Sequence, residues 1–335
     1  MSGVEFVAVT PDDAGARLDK WLKRRYPQLT QGQVQKLLRS KQIKVDGKKA
    51  EAAQHVEAGQ SIRIPPLPEN GSPMKNAAAR RERVLVSQAD AAFVKSLVLH
   101  KDAHVIVINK PAGLAVQGGT GLSRHLDGML SALRFEKEEN PRLVHRLDKD
   151  TSGVLVLART PAAASKLADA FAKGMAKKVY WALVHGVPEI KEGKIDAKLL
   201  KISGANGCES VVVDDKKGKR AVTLYRVEDE VFQKAAWLEM MPITGRTHQL
   251  RVHCAFMNHP IVGDAKYAQN MKAEYLPNAK CLHLHARAVR FPHPAGGICE
   301  CVAPLPEKMA QDFDFLGFSY KMTKSPFKNF VEVDR

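Results

Sequence analysis

Residues 143–153 read Leu-Val-His-Arg-Leu-Asp-Lys-Asp-Thr-Ser-Gly. Asp148 stands here between two bases, Arg146 and Lys149. Nearby cations favour the charged form of a carboxylate. An ionised carboxylate can attack an electrophilic carbon or take up a proton. The same pattern also makes an ordinary surface ion pair, so the surrounding sequence decides. The stretch ends in a turn cluster, Thr151-Ser152-Gly153, and runs into Val154-Leu155-Val156-Leu157, which predicts a buried strand. A charged loop pinned to a sheet is a common seat for catalytic groups. A second polar, basic loop lies at 244–253, Thr-Gly-Arg-Thr-His-Gln-Leu-Arg-Val-His, again between apolar segments.

Hydrophobic patterning shows what must hold these loops. Val105-Ile106-Val107-Ile108 predicts a buried strand that delivers a turn at Asn109–Leu114. Thr160 before Pro161 reads as N-cap and first helical residue, with the helix running through Leu167 and Phe171 to Gly174. Val179–Val184 predicts a strand, as do 221–227, 236–242 and 282–290. Thr247 to Met257 predicts a helix with Leu250, Cys254 and Met257 on one face. Strands dominate and helices are irregularly placed, so the expected class is α+β.

The chain of 335 residues has room for one large domain and a smaller one. Lys and Arg number 52 against 36 Asp and Glu, leaving a net charge of +16, which favours a polyanionic partner. No basic amphipathic helix with exposed aromatics argues for a membrane surface, and no apolar run approaches a bilayer span. The first residues, Met-Ser-Gly-Val-Glu-Phe-Val, lack the pattern of a secretory signal. Five cysteines, Cys208, Cys254, Cys281, Cys299 and Cys301, form no disulfide framework and suit a reducing compartment. A cytoplasmic protein is expected.

Between Arg17 and Lys49 lie eleven basic residues and two acidic ones, Asp19 and Asp46. Leu18, Trp21 and Leu22 recur at helical spacing, with Lys20, Lys23 and Arg24 on other faces. Tyr26-Pro27 ends that helix. Thr30-Gln31-Gly32-Gln33 is a capping box for a second helix, with Val34, Leu37 and Leu38 inward and Lys36, Arg39 and Lys41 outward. Ile43–Gly47 predicts a short strand and tight turn, and Ser61–Ile64 a second strand. Charges of one sign exceed what solubility requires and point to RNA. Pro65–Pro73 reads as a stiff linker. Ala77 to Arg83 could be helical.

Taken together, the motifs resemble the RluA/RluC/RluD family of pseudouridine synthases. The 143–153 stretch is similar to its H-R-L-D-x-x-T-S-G signature and 244–253 to G-R-T-H-Q-[IL]-R-V-H. Further matches follow in family order at Asn109–Leu114, Lys178-Val179-Tyr180, Gly218–Thr223, His259–Asp264 and Leu284-His285-Ala286. The N-terminal module resembles the S4 RNA-binding domain. These resemblances imply an S4-like domain over 1–65, a linker over 66–95 and a catalytic domain over 96–335. They imply a mixed, largely antiparallel sheet crossed by an RNA cleft, and isomerisation of uridine in RNA without cofactor or metal. A monomer is favoured. The implied catalytic set is Asp148, with Arg251 orienting it and keeping it ionised, and Tyr180 stacking on the detached uracil or helping to remove its C5 proton. Arg146 is placed to fill the space of a flipped base or bind the adjacent phosphate. Lys110, Lys178 and Arg246 are candidates for phosphate or structural contacts. Arg17, Lys20, Arg24, Lys36, Arg39 and Lys41 are the RNA-binding candidates of the small domain.

Length, the S4-like module and Val116–Gly121 look most like the RluC branch, which modifies large-subunit ribosomal RNA. Gln117 stands where that branch usually has histidine, so a tRNA-directed or RluD-like role stays open. A non-catalytic RNA-binding assembly factor would share the charge and the S4-like module, but would not need Asp148, Tyr180 and Arg251 together. Gly118-Gly119-Thr120-Gly121 lacks a following Gly-Lys-Ser/Thr, so no nucleotide cofactor is expected. Cys281, His283, His285, Cys299 and Cys301 alternate along strands and lack the usual spacing of structural zinc. Ser152 lies near His145 and Asp148 but has no Gly-x-Ser-x-Gly frame, so a hydrolase nucleophile is not expected there.

Overall fold

A computed structural model describes residues 4–67, 86–118, 124–203, 209–268, 271–320 and 325–330. Several sequence expectations lie outside them: the linker over 68–85, the helix at 77–83, the glycine loop at 119–121, and Cys208. The chain divides into two compact units, Met1–Val84 and Leu85–Arg335.

In the small unit, helices α1 (Leu18–Arg25) and α2 (Gln31–Arg39) accompany a sheet of β1 (Glu5–Ala8), β2 (Lys44–Val45), β3 (Lys48–Lys49) and β4 (Ser61–Ile64) in the order β1-β4-β2-β3. Tyr26 caps α1, its N–H donating to the Leu22 carbonyl. The capping box forms: Thr30 Oγ1 accepts from Gln33 N at 3.2 Å, and Gln33 Oε1 accepts from Thr30 N at 2.7 Å. Asp46 and Gly47, both with positive φ, make the two-residue turn between β2 and β3. Leu18, Trp21, Leu22, Val34, Leu38, Ile43 and Ile62 build a separate core, so this unit has its own apolar driving force.

The large unit contains an eleven-stranded sheet among the described residues. Its strands are β5 (Val98–Lys101), β6 (Val105–Lys110), β7 (Arg142–Leu143), β8 (Ser152–Ala158), β9 (Lys177–His185), β10 (Glu192–Ser203), β11 (Glu209–Val213), β12 (Lys219–Val231), β13 (Ala235–Pro242), β14 (Leu284–Pro292) and β15 (Ile298–Val302). The main path runs β11-β10-β12-β13-β9-β14-β8-β6-β5, with β15 on β14 and β7 on β8. Only the β8–β14 pair is parallel among the described pairings. The mixed, largely antiparallel sheet and the α+β class therefore match the sequence reading. β8 is buried along its whole length, as an apolar run between two sheet neighbours should be. Helices α3 (Gln88–Ser96), α4 (Leu126–Met129), α5 (Pro161–Ala172), α6 (Gln249–Phe256) and α7 (Glu307–Leu316) complete the described helices of this unit. The span 66–95, read as linker, meets α3, whose Val94 is buried in the large unit's core.

Candidate active site

The Asp148 loop lies between β7 and β8 and is clamped from both sides. Gly153 pairs with Ala286 across the parallel strands, with φ of +112°. A Cβ there would lie 2.2 Å from the Ala286 carbonyl oxygen, so only glycine fits. His145 Nε2 accepts from Val156 N at 2.8 Å, and its ring stacks on Phe171 with centroids 4.2 Å apart. Burial, and next the charge of Lys178, lowers the His145 pKa to about 3, so it accepts as a neutral ring. Lys110 is fully buried, and its Nζ donates to the carbonyls of Pro111, Leu114 and Lys149, each at 2.9 Å. All three ammonium donors are spent inside the protein, holding the carbonyl next to Asp148; of the two roles open to Lys110, phosphate or structural contact, these are contacts of the structural kind.

The second loop joins β13 to α6. Gln249 ties it down with a full set of bonds. Its Oε1 accepts from Arg246 N at 3.0 Å and Thr244 Oγ1 at 2.7 Å, while its Nε2 donates to Val222 O and Thr223 Oγ1, both at 2.9 Å. His248 takes a left-handed conformation, φ 52°, immediately before α6. The helix therefore starts later than the expected Thr247, and His248 and Arg251 both turn towards the first loop.

Between the loops lies a cavity of about 430 Å³, within the range of small-ligand pockets. Asp148, Arg146, Lys178, Tyr180, Arg246, His248, Arg251, Phe171 and Leu284 line it. Asp148 is partly exposed. Its Oδ2 lies 4.0 Å from Arg251 Nη1 and 3.8 Å from His248 Nε2. The tight partner of Arg251 is a different acid: Nε and Nη2 donate to the two oxygens of fully buried Asp264, both at 2.7 Å. The expected pairing of Arg251 with Asp148 is thus revised to a looser approach. A buried carboxylate needs a satisfied cationic partner, and Asp264 takes the two-pronged face of the guanidinium, leaving Nη1 to Asp148.

Tyr180 sits on β9, between β13 and β14. Among the described residues its hydroxyl makes no protein hydrogen bond. Burial, and next the charge of Asp148, raises its pKa far above the ordinary phenol value. At neutral pH Tyr180 therefore keeps its proton and offers a ring surface and a hydrogen-bond donor. Lys178 lines the wall partly buried, and burial lowers its pKa. Arg146 and Arg246 are exposed at the rim.

In the small unit Lys20, Lys36, Arg39 and Lys41 are exposed; the charge of Lys20 reaches Asp19. Arg17 pairs with Asp19 at 2.9 Å and Arg24 with Asp13 at 2.7 Å, so part of their charge is already met. Site residues that the sequence reading did not single out are His248, Gln249, Asp264, Tyr267 and Phe171. The first three lie inside motifs that were visible; Tyr267 and Phe171 carried no signal beyond residue type.

The residues behind the hydrolase and zinc readings have other partners. Buried Ser152 meets buried His285 Nδ1 at 2.9 Å across the β8–β14 pair, and neither lines the pocket. His283 bonds the Cys281 carbonyl and Asp312, each at 2.7 Å.

Residues 104–256 match the RNA pseudouridylate synthase model, and residues 16–62 the S4 domain model. The chain is 35% identical over 311 residues to ribosomal large subunit pseudouridine synthase C of Escherichia coli, spanning 91% of this chain and 94% of the relative. It is 40% identical over 302 residues to Arabidopsis thaliana RNA pseudouridine synthase 4, mitochondrial, and spans 63% of that longer protein. Among solved structures, human RNA pseudouridylate synthase domain containing 4 superposes with a TM-score of 0.58 at 32% identity, over 68% of this chain and 97% of that one. Fold and matches define the class as an isomerase acting on RNA. Within it, the chain belongs to the RNA pseudouridylate synthase family and carries an S4 domain at its N-terminal end, as the motifs led one to expect. No described helix is long and apolar enough to cross a membrane.

Proposed function

We propose that the protein converts specific uridines of large-subunit ribosomal RNA to pseudouridine, with Asp148 as the catalytic carboxylate. The observation that carries this reading is the Asp148 carboxylate itself, open to a pocket of about 430 Å³ and faced by Arg251 and His248. The ribosomal target is supported by relatives of matching length that are named for the large ribosomal subunit.

The reaction breaks N1–C1′ and forms C5–C1′, with no net loss of atoms or electrons. A stacked uridine must first turn out of its helix, which costs a few kcal/mol. Arg146, exposed at the mouth, fills the vacated space or holds the adjacent phosphate. Asp148 then acts through its charged form, as nucleophile at C1′ or as base at C2′ leading to a glycal; both routes use the same carboxylate. Arg251 supplies a permanent positive charge beside it. Tyr180 offers its ring to the freed uracil, and its protonated hydroxyl donates to a uracil oxygen. The C5 proton leaves last, and N1, freed from the sugar, takes one up in exchange; on the glycal route the proton taken from C2′ is returned there, so the product is an isomer of the substrate.

The test is unmodified ribosomal RNA incubated with the protein, followed by chemical mapping of pseudouridine. Asp148→Asn should bind the RNA within about twofold of the parent and give no product. Retained turnover would remove Asp148 from this role, and product confined to transfer RNA would reassign the target.

A further inference from the structure

Asp264 organises more than Arg251. Its Oδ1 also accepts from Lys266 N at 3.0 Å and Tyr267 N at 3.1 Å. That turn sets the Tyr267 hydroxyl 2.7 Å from His248 Nδ1. The same hydroxyl accepts from Val211 N at 3.0 Å. A backbone N–H can only donate, so it takes a lone pair of the phenol oxygen. The oxygen keeps a second lone pair, but the phenol proton meets no acceptor other than Nδ1 among the described residues, so the arrangement that satisfies it has Nδ1 accepting. With Nδ1 accepting, the ring proton of neutral His248 sits on Nε2. Burial keeps the ring neutral by lowering its pKa.

Nε2 is the atom that faces Asp148 Oδ2 at 3.8 Å. Arg251 Nη1 faces the same oxygen. Both closest approaches are thus to Oδ2. The terminal torsion of an aspartate is broad and needs such support to stay fixed.

We propose that Tyr267 fixes the tautomer of His248, and that His248 is a positioning residue donating from Nε2 to Asp148 Oδ2, so that Oδ1 is presented to the ribose. The inference rests on Asp148 being the catalytic carboxylate. The gap closes to a hydrogen bond by a shift of about 1 Å, in line with the tightening of catalytic contacts when substrate binds. Misplacing a catalytic group by about that distance can cost on the order of 100-fold in rate.

Single-turnover kinetics at saturating unmodified ribosomal RNA test it on the full chain. His248→Ala should slow the chemical step about 10- to 100-fold with RNA affinity within about twofold of the parent. His248→Gln, whose amide N–H reaches the place of Nε2, should recover most of the loss. An alanine variant as fast as the parent overturns the proposal, and so does a glutamine variant as slow as alanine. Should His248→Ala fail to fold, a proton–nitrogen correlation spectrum of histidine-labelled parent protein still decides. It should show His248 protonated at Nε2 in the parent and a mixture of tautomers in Tyr267→Phe; protonation at Nδ1 in the parent overturns it. Asp148→Asn run in parallel separates the two readings. If that variant retains turnover, the functional reading itself fails; if it is dead while His248→Ala is fast, only the positioning role fails.

Discussion

Basic side chains do opposite work in the two units. In the small unit Lys20, Lys36, Arg39 and Lys41 are exposed to solvent. In the large unit two cations behind the exposed Arg146 and Arg246 are sunk: Lys110 is fully buried on three carbonyls, and Arg251 is buried on Asp264. The first group makes a field that any polyanion can feel. The second group holds two loops in one geometry and has almost no freedom to meet a ligand. Sequence shows both groups as Lys and Arg; only burial tells a field from a fastening.

The comparison breaks most visibly at Arg251. Arg251→Ala leaves Asp264 buried without its cation, and breaking one side of a buried pair costs about 3–5 kcal/mol. Urea unfolding should show that loss, and turnover should vanish with it. Asp264→Ala added to Arg251→Ala should restore part of the stability and none of the activity, because Asp148 still lacks its neighbour. If the single variant were as stable as the parent, the fastening role would be wrong.

Lys110 gives the next largest effect. Burial lowers its pKa to about 8, with Asp150 and then Asp148 opposing the shift, so at neutral pH it remains mostly a cation. Lys110→Met keeps the volume and strips the donors. Leaving buried carbonyls unmet costs about 1–3 kcal/mol for each such group. Pro111 O and Leu114 O are exposed to that cost more than Lys149 O, which keeps Gly113 N at 3.0 Å. The expected outcome is a loss of about 2–4 kcal/mol in urea unfolding, a slower chemical step, and an unchanged salt dependence of RNA binding. A change in salt slope would return Lys110 to the phosphate-binding set.

The sequence was most legible where chemistry forces a residue type. Gly153 could be nothing else at its approach to Ala286, and Thr30 and Gln33 satisfy helix-end donors that have no other partner. The apolar runs at β6 and β8 read as strands because both faces are covered. Strands β10 and β11 escaped notice. In β10 Lys194, Asp196 and Lys198 interrupt the apolar residues, and such residues have low strand propensity, although Ile195, Ala197 and Leu199 alternate inward as a half-buried strand should; in β11 the run Val211-Val212-Val213 did carry a strand signal. The site was legible in its motifs but not in its pairings. Asp264 and Arg251 stand thirteen residues apart in a loop and a helix, and spacing carries no trace of which acid the arginine grips. The tautomer of His248 depends on Tyr267, which no pattern joins to it.

The small unit offers the gentlest test. Lys36 lies exposed in the last turn of α2, where a cation also favours the helix end by a few tenths of a kcal/mol. Lys36→Ala should therefore leave stability within about 0.5 kcal/mol of the parent. If Lys36 meets a phosphate, the slope of log affinity against log salt should fall by about 0.7–0.9. Replacing Lys20, Arg39 and Lys41 as well should lower the slope by a similar step for each phosphate no longer neutralised, while the single-turnover rate on bound RNA stays that of the parent. An unchanged slope in the fourfold variant would mean that these charges solvate the surface and that RNA is held elsewhere. A fall in the chemical step at saturating RNA would blur the contrast with Arg251 and Lys110, because exposed charges would then be setting the geometry of a pocket built from buried ones.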